Sequence, residues 1–424
     1  MAADAGLSRV LRARAPVAGA WRLIAGQTAL LFSGFAAGQL CAFLRNAIIA
    51  HTISRGDFGI ASLILATLQI IETLTDMSAD KLIIQADDGA SSKVVGTAQS
   101  FQLIRGIATA ALILATAYPL AIFYRVPEAT VAFMAVALAP LMRGLVNLDM
   151  RREQRVLNNT PYIAFETAPQ MIALAATPLA LWVAPTYAAV VIIAVIQAGS
   201  ALLVSGLAAR QTISFTWDWD VARRMLAFSW PIWLSAIPLV AVLQGDRVLI
   251  GRILGMEAVA GYAAAFLITM VPAAVVVKVG HALLMPLLSE VKADPPSFFA
   301  RFKPMIGTAV ALSLAYLAFF QIVGGLLLSF VFGPAYTGLH AVVALLALMW
   351  AMRMIQAVPG IGLMALGQTR ALLIAGIIRA TGLVPAAIVL THGGGLVSVA
   401  LVAVIAELAS LLYVIWILKQ WRRT

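Results

Sequence analysis

The sequence predicts an all-α integral membrane protein of about 12 transmembrane helices, arranged as two six-helix bundles related by a pseudo-two-fold axis along the membrane normal. Three observations carry this: an extreme composition, apolar runs of membrane-spanning length, and an internal repeat. Of the 424 residues 62% are hydrophobic and only 11% are charged, against roughly 45–50% apolar and 25% charged in soluble domains. Apolar stretches of about 20 residues, enough to cross ~30 Å of hydrocarbon, recur from Gln27 to Leu418. In lipid a chain must satisfy its own backbone hydrogen bonds, so each run is a helix or a barrel strand. The runs are continuously apolar rather than alternating, which points to helices.

In chain order, residues 1–27 read as a cytoplasmic basic leader carrying Arg9, Arg12, Arg14 and Arg22, with no cleavable signal apparent before the first span. A first bundle over 28–210 holds spans near 28–51, 59–82, 97–121, 129–149, 161–183 and 186–209. A linker over 211–228 contains Phe215-Thr216-Trp217-Asp218-Trp219-Asp220, suited to a membrane interface. A second bundle over 229–418 holds spans near 229–253, 259–287, 305–331, 337–364, 371–391 and 396–418, and 419–424 is a basic tail. Turn clusters such as Phe332-Gly333-Pro334 and Gly393-Gly394-Gly395 separate neighbours.

Orientation follows from the basic residues. Eighteen of the 29 fall on one side of this topology, including Lys93, Arg151, Arg152, Arg155, Arg223, Arg224 and Arg301, and only Arg55, Arg125 and Arg252 on the other. The positive-inside rule then places both termini in the cytoplasm. The same distribution explains the net charge of +11 without nucleic acid as a partner. The lone cysteine, Cys41, permits neither an internal disulfide nor a thiolate metal cluster.

Residues 29–67 and 231–269 align without a gap at an offset of 202, with identical pairs that include Arg45/Arg247, Gly59/Gly261 and Thr67/Thr269. Both six-span halves enter the membrane in the same direction, which makes this a parallel repeat with its substrate site between the halves.

Leu44-Arg45-Asn46 and Ser54-Arg55-Gly56-Asp57-Phe58-Gly59-Ile60-Ala61 resemble the first hairpin of polysaccharide and O-antigen flippases. These belong to the multidrug/oligosaccharidyl-lipid/polysaccharide exporter superfamily. Asp246-Arg247-Val248-Leu249-Ile250-Gly251, Gly261-Tyr262 and Gly367-Gln368 resemble that family's second half. The resemblance implies two bundles around a central cavity in the bacterial inner membrane. It implies as cargo an undecaprenyl-pyrophosphate-linked oligosaccharide, moved to the outer leaflet for surface polysaccharide biosynthesis. It further implies membrane lipids, a coupling H+ or Na+, and a polysaccharide polymerase and glycosyltransferases as partners. Lipid II flippases of the superfamily are similar but usually carry two extra helices that this sequence lacks.

The charged residues inside spans are the candidate site. A charge at mid-bilayer costs at least ~2.5–3.5 kcal/mol, yet Arg45, Arg105, Arg143, Arg247, Lys278, Arg353 and Arg379 all lie within spans. Arginine binds phosphate oxygens in a bidentate fork and stays charged, so these residues are expected either to line a hydrated anionic path or to pair with acids. Arg45 and Arg247 lead, at repeat-equivalent positions. Arg143 and Arg353 share a place in the fourth and tenth spans. Lys278 and His281, three apart, share a helix face. Pro272 and Pro286 flank them and either hinge or simply bend the helix. Among the acids Glu72, Glu166, Asp246 and Glu407, the pair Asp246 and Glu166 are the expected ion-coupling residues. Glu72, Asp76 and Asp80, spaced four apart, require basic partners on a neighbouring helix or Lys81.

No nucleophile elbow, metal-ligand cluster or phosphate-binding glycine loop occurs, so no catalytic residue, metal or cofactor is expected. Seven intramembrane basic residues against four acidic ones favour an anionic cargo over the alternative of a cation-coupled multidrug exporter. A membrane glycosyltransferase or polymerase is disfavoured because the external loops are all about a dozen residues or fewer.

Overall fold

The computed structural model describes residues 17–76, 80–156, 158–291 and 294–421. The leader's Arg9, Arg12 and Arg14, and Arg422 and Arg423 of the tail, lie outside the described residues. Long helices dominate, and no strand occurs among the described residues. The first half contains α1 (Val17–Thr52), α2 (Arg55–Thr75), α3 (Ser92–Phe123), a broken α4 (Thr130–Ala135 and Leu138–Gly144), α5 (Thr160–Val183) and α6 (Tyr187–Ala208). The second contains α7 (Trp219–Ile253), α8 (Met256–Glu290), α9 (Pro295–Phe332), α10 (His340–Ala365), a bipartite α11 (Thr369–Thr381 and Leu383–Thr391) and α12 (Leu396–Trp421). Nine helices among the described residues are long and apolar enough to span a membrane, or ten if the bent Pro127–Arg155 region counts as one. α1 and α5, 36 and 24 residues long, are two further helices of membrane-spanning length.

Several ends are set by local chemistry. Ser54 and Asp218 accept hydrogen bonds from the backbone N–H of Asp57 and Val221 and so cap α2 and α7. Gly255 turns the chain from α7 into α8 at φ +88°, a conformation that favours glycine. The second span stops at Thr75, and a separate short helix, Asp80–Gln85, follows it. α7 starts at Trp219, inside the stretch read as a linker.

The buried apolar side chains form three clusters, and their distribution gives the molecule its shape. One cluster runs through both halves, from Ile49, Phe58 and Ile64 to Tyr262, Phe332, Val343 and Val404. Most of it lies in the half of the bundle remote from the arginine-rich loops. At the arginine-rich end the core divides. Leu288, Phe298, Phe302, Ile361 and Val414 pack together in the second half. Ile83, Val94, Leu148, Val221 and Met225 pack together in the first half with the start of α7. The two halves are therefore welded at the arginine-poor end by one continuous core, whereas at the other they meet only in the smaller cluster between the start of α7 and the first half. Large apolar side chains such as Ile322, Leu326 and Phe330 of α9 remain exposed on the perimeter, as expected of a surface solvated by lipid.

Candidate functional site

The intramembrane charges fall into two groups, those neutralised within one half and those that are not. In the first half the guanidinium of Arg143 contacts the carboxylate of Glu72, and Arg105 pairs with Asp76 at 3.1 Å. Glu72, Arg105 and Arg143 border a small polar cavity of about 20 Å³ with Gln102, Thr109 and Gly144. Asp80 is bound by Arg151 at 2.7 Å. Glu72 of α2, Asp76 at its end and Asp80 of the short helix that follows thus each find their own arginine on another helix.

The second half is tighter. Glu407 of α12 is 1% exposed and accepts hydrogen bonds from Arg353 Nη2 at 2.7 Å and Nε at 3.2 Å. Arg379 of α11 pairs with its other oxygen at 3.5 Å. The Arg353 guanidinium also lies over the Trp350 ring. Asp246 faces the same cavity of about 30 Å³, room for a water molecule or two, and accepts a hydrogen bond from the Tyr262 hydroxyl at 2.6 Å. An arginine–glutamate–arginine group buried this deeply ties α10, α11 and α12 together. Removing one member would leave an uncompensated charge.

Arg45, Arg247 and Lys278 differ. Arg45 of α1 donates from Nη1 to the amide oxygens of Gln170 on α5 and Gln197 on α6, at 3.1 and 2.8 Å. Among the described residues no carboxylate pairs with it. Neutral amides hold the guanidinium in place and leave its charge uncancelled. At the repeat-equivalent position Arg247 donates to Gln244, one turn away on its own helix, at 3.0 Å, and lies over the Phe266 ring. Lys278 of α8 extends across to α1, where its ammonium lies over the Phe35 ring, and it feels the charge of Glu166 on α5. The Arg151 guanidinium lies over the Tyr162 ring, and Tyr162 stands one turn before Glu166 on α5. A string of polar groups thus runs from Asp80 and Arg151 at the arginine-rich end to Lys278, with half-buried His281 beside it.

The hairpin motifs serve the welded end. Arg55 donates to the carbonyls of Ala335 at 3.1 Å and Glu257 at 3.3 Å, and its guanidinium lies over Tyr336. Phe58 packs on Phe332 and Tyr336. A Cβ on Gly59 would stand 1.9 Å from the Met256 carbonyl oxygen, and one on Gly261 would stand 3.3 Å from the Arg55 guanidinium. Arg55 and Glu257, which touch here, are themselves 202 residues apart, so the hairpins of the two halves meet at repeat-equivalent positions. The sequence singled out this motif but not its job. Gln170, Gln197 and Gln244 were missed altogether, and Tyr262 was noted only as part of a motif and not as the partner of Asp246, because an amide or phenol in an apolar run carries no periodic signal.

A family model described as polysaccharide biosynthesis protein matches residues 48–341. The chain belongs to that family. No curated protein matches it in sequence. Among solved structures, this member of the polysaccharide biosynthesis protein family is similar to the lipid II flippase MurJ in an inward closed conformation. The TM-score is 0.75 at 12% identity, over 92% of this chain and 87% of that one. It is also similar to an inward-facing multidrug resistance MATE family transporter of the MOP superfamily, with TM-score 0.63 and 14% identity over 99% and 98% of the two chains. A third similar structure is a mutant of the Vibrio cholerae MATE transporter VcmN, with TM-score 0.62 and 14% identity over 94% and 98%. At these identities the likeness defines the fold of this polysaccharide biosynthesis protein. It is a multi-pass membrane protein with the two-lobed architecture of these transporters.

Proposed function

We propose that the chain is a flippase that carries an undecaprenyl-pyrophosphate-linked oligosaccharide from the cytoplasmic to the outer leaflet of a bacterial inner membrane by alternating access. The single observation that carries this reading is Arg45, an intramembrane guanidinium held by Gln170 and Gln197 rather than by an acid. A charge left uncancelled at that depth is worth its cost when an anion visits it, and a pyrophosphate matches the arginine fork. Arg247, Lys278 and His281 supply further positive or hydrogen-bonding character to the path. Arg105, Arg143, Arg353 and Arg379 are assigned a supporting place, since each already has a carboxylate. With the arginine-rich loops in the cytoplasm, the divided end faces the leaflet where the cargo is made. Asp246, held by Tyr262, and Glu166, between Tyr162 and Lys278, are the carboxylates assigned to a coupling H+ or Na+. A polymerase and glycosyltransferases are the expected neighbours in the pathway.

The test is Arg45→Gln. Losing a charge-assisted contact of about 1.5–3 kcal/mol should slow transport roughly tenfold or more. Lipid-linked precursor should accumulate inside and surface glycan fall, with the protein still present in the membrane. Arg45→Lys should retain part of the activity. Normal glycan display in the Arg45→Gln/Arg247→Gln double variant would overturn the reading.

A further inference from the structure

α8 presents two unlike faces at one level of the membrane. Lys278 and His281 lie on the face toward α1. Val276, Val279, Gly280 and Leu283, at the 3, 4 and 7 spacing of a single helical stripe, lie on the opposite face. There they form one wall of an apolar cavity of about 450 Å³. The other wall is α9, through Pro304, Met305, Thr308 and Leu312. Met354, Val358 and Ile361 of α10 form a buried floor. α8 and α9 each pack closely on α10 and only sparsely on each other, so the space between them is a slot. Its rims are open: Val276, Leu283 and Leu312 are exposed. The volume falls in the 300–1,000 Å³ range of ligand pockets. Thr308 is the single polar side chain in the lining, and such a cavity takes hydrocarbon rather than water.

We infer that this slot binds the polyprenyl tail of the lipid-linked cargo, an inference that rests on the flippase reading above. Three features on α8 and its neighbours favour that occupant. The slot is bounded by only two splayed helices over one floor helix, and its lining is apolar except for Thr308. It is built from residues 275–284 of α8 and 304–312 of α9, in the half of each helix nearer the arginine-rich end. It sits directly behind Lys278 and His281, separated from them by one helix about 10 Å across. A lipid with its phosphates at Lys278 would need to pass only around α8 to lay its tail between α8 and α9. The slot would fix the tail in the membrane while the polar head enters between the halves, so head and tail need not cross the apolar layer together.

Gly280 makes the test clean. A Cβ placed there meets no atom within 4 Å, so Gly280→Phe should fill the slot without displacing its walls. Thr308→Phe fills it from the facing wall. Membrane vesicles containing the full chain would be photolabelled with a benzophenone-bearing undecaprenyl phosphate. Flipping of a polyprenyl-pyrophosphate disaccharide would be measured in parallel. We expect adducts on α8 and α9 that excess unlabelled undecaprenyl phosphate suppresses and excess phosphatidylglycerol does not. Both Phe variants should lose labelling and transport while folding normally by thermal unfolding. Equal competition by phosphatidylglycerol would overturn the inference in favour of a structural phospholipid. Adducts on other helices, or normal transport in both Phe variants, would overturn it as well. Normal transport there would leave the Arg45 reading standing, because that reading fails only if the arginine variants transport normally.

Discussion

The two ends of the bundle are built on different principles. At the arginine-poor end one apolar core crosses from Ile49 and Phe58 to Tyr262 and Val343, and it is finished by Arg55, which binds carbonyls of both Glu257 and Ala335. At the arginine-rich end the core splits in two. There the contacts that reach out of α7 go to the first half: Trp233 to the Leu74 carbonyl at 2.6 Å, Asp218 to Lys93 at 2.8 Å, and Arg224 to Asp88 at 2.9 Å. An extensive apolar core holds one end shut, whereas a small apolar patch, Val221 and Met225 on Ile83 and Val94, together with a few polar contacts tethers the other. A transporter fold that changes its accessible side must reverse this inequality. The welded end should therefore be sensitive to small changes and the tethered end indifferent to them.

The largest effect is expected in the middle of the second half, where Glu407 decides whether α10, α11 and α12 move as one body. Glu407→Gln leaves Arg353 and Arg379 without their anion in a buried site. Breaking such a group costs about 3–5 kcal/mol, which should appear as a large drop in the unfolding temperature in nanodiscs. The triple change Glu407→Leu/Arg353→Met/Arg379→Met should recover most of it, since replacing an entire buried ionic group by apolar residues is often neutral or stabilising. A single variant as stable as the parent would mean that the second half does not depend on this group for its rigidity.

The welded end is tested by Arg55→Ala. Two hydrogen bonds from a charged donor and a stacked ring are lost, together worth about 1–2 kcal/mol in this exposed setting. That corresponds to a factor of roughly 5–30 in the balance between closed and open. Ala260 is fully buried there. With Cys41→Ser to remove background, an Ala260→Cys probe should react with a membrane-impermeant maleimide correspondingly faster when Arg55 is absent. An unchanged labelling rate would show that apolar packing alone keeps this end shut.

Most of the fold could be read from the sequence, and the reasons are physical. Hydropathy marks spans because the bilayer leaves so few alternatives. The breaks were invisible. α4 splits between Ala135 and Leu138, and α11 splits at Gly382, because a short interruption inside an apolar run does not alter its hydropathy. Span ends were blurred where a polar helix continues past the membrane, as at Trp219. Among charged residues the repeat pairs Arg45 with Arg247, yet their surroundings differ. One is held by Gln170 and Gln197 from two other helices and the other by Gln244 from its own. Whether an arginine is neutralised depends on which acid another helix brings near, and no single-sequence pattern encodes that. Glu407 illustrates the point: it was visible as an acid in a span, but not as the anchor of two arginines.

The smallest effect is expected at the tethered end. Arg224 hydrogen-bonds Asp88 and holds its carboxyl below the usual carboxylate range, and Lys93 does the same for Asp218. A carboxylate whose folded-state pKa is depressed contributes stability above its unfolded value, near 3.9, and loses it as the pH falls through the lower folded value. Any weakening of these tethers therefore belongs below about pH 4, and none is expected between pH 5 and 8. The Arg224–Asp88 pair is half-exposed on both sides, and pairs of that kind contribute about 0–1 kcal/mol and are screened by salt. Asp88→Asn should accordingly leave the unfolding temperature at neutral pH nearly unchanged, and remove any difference between low and high salt that this pair causes. A large loss of stability at pH 7 would place mechanical weight on the arginine-rich end and erase the contrast between the two ends.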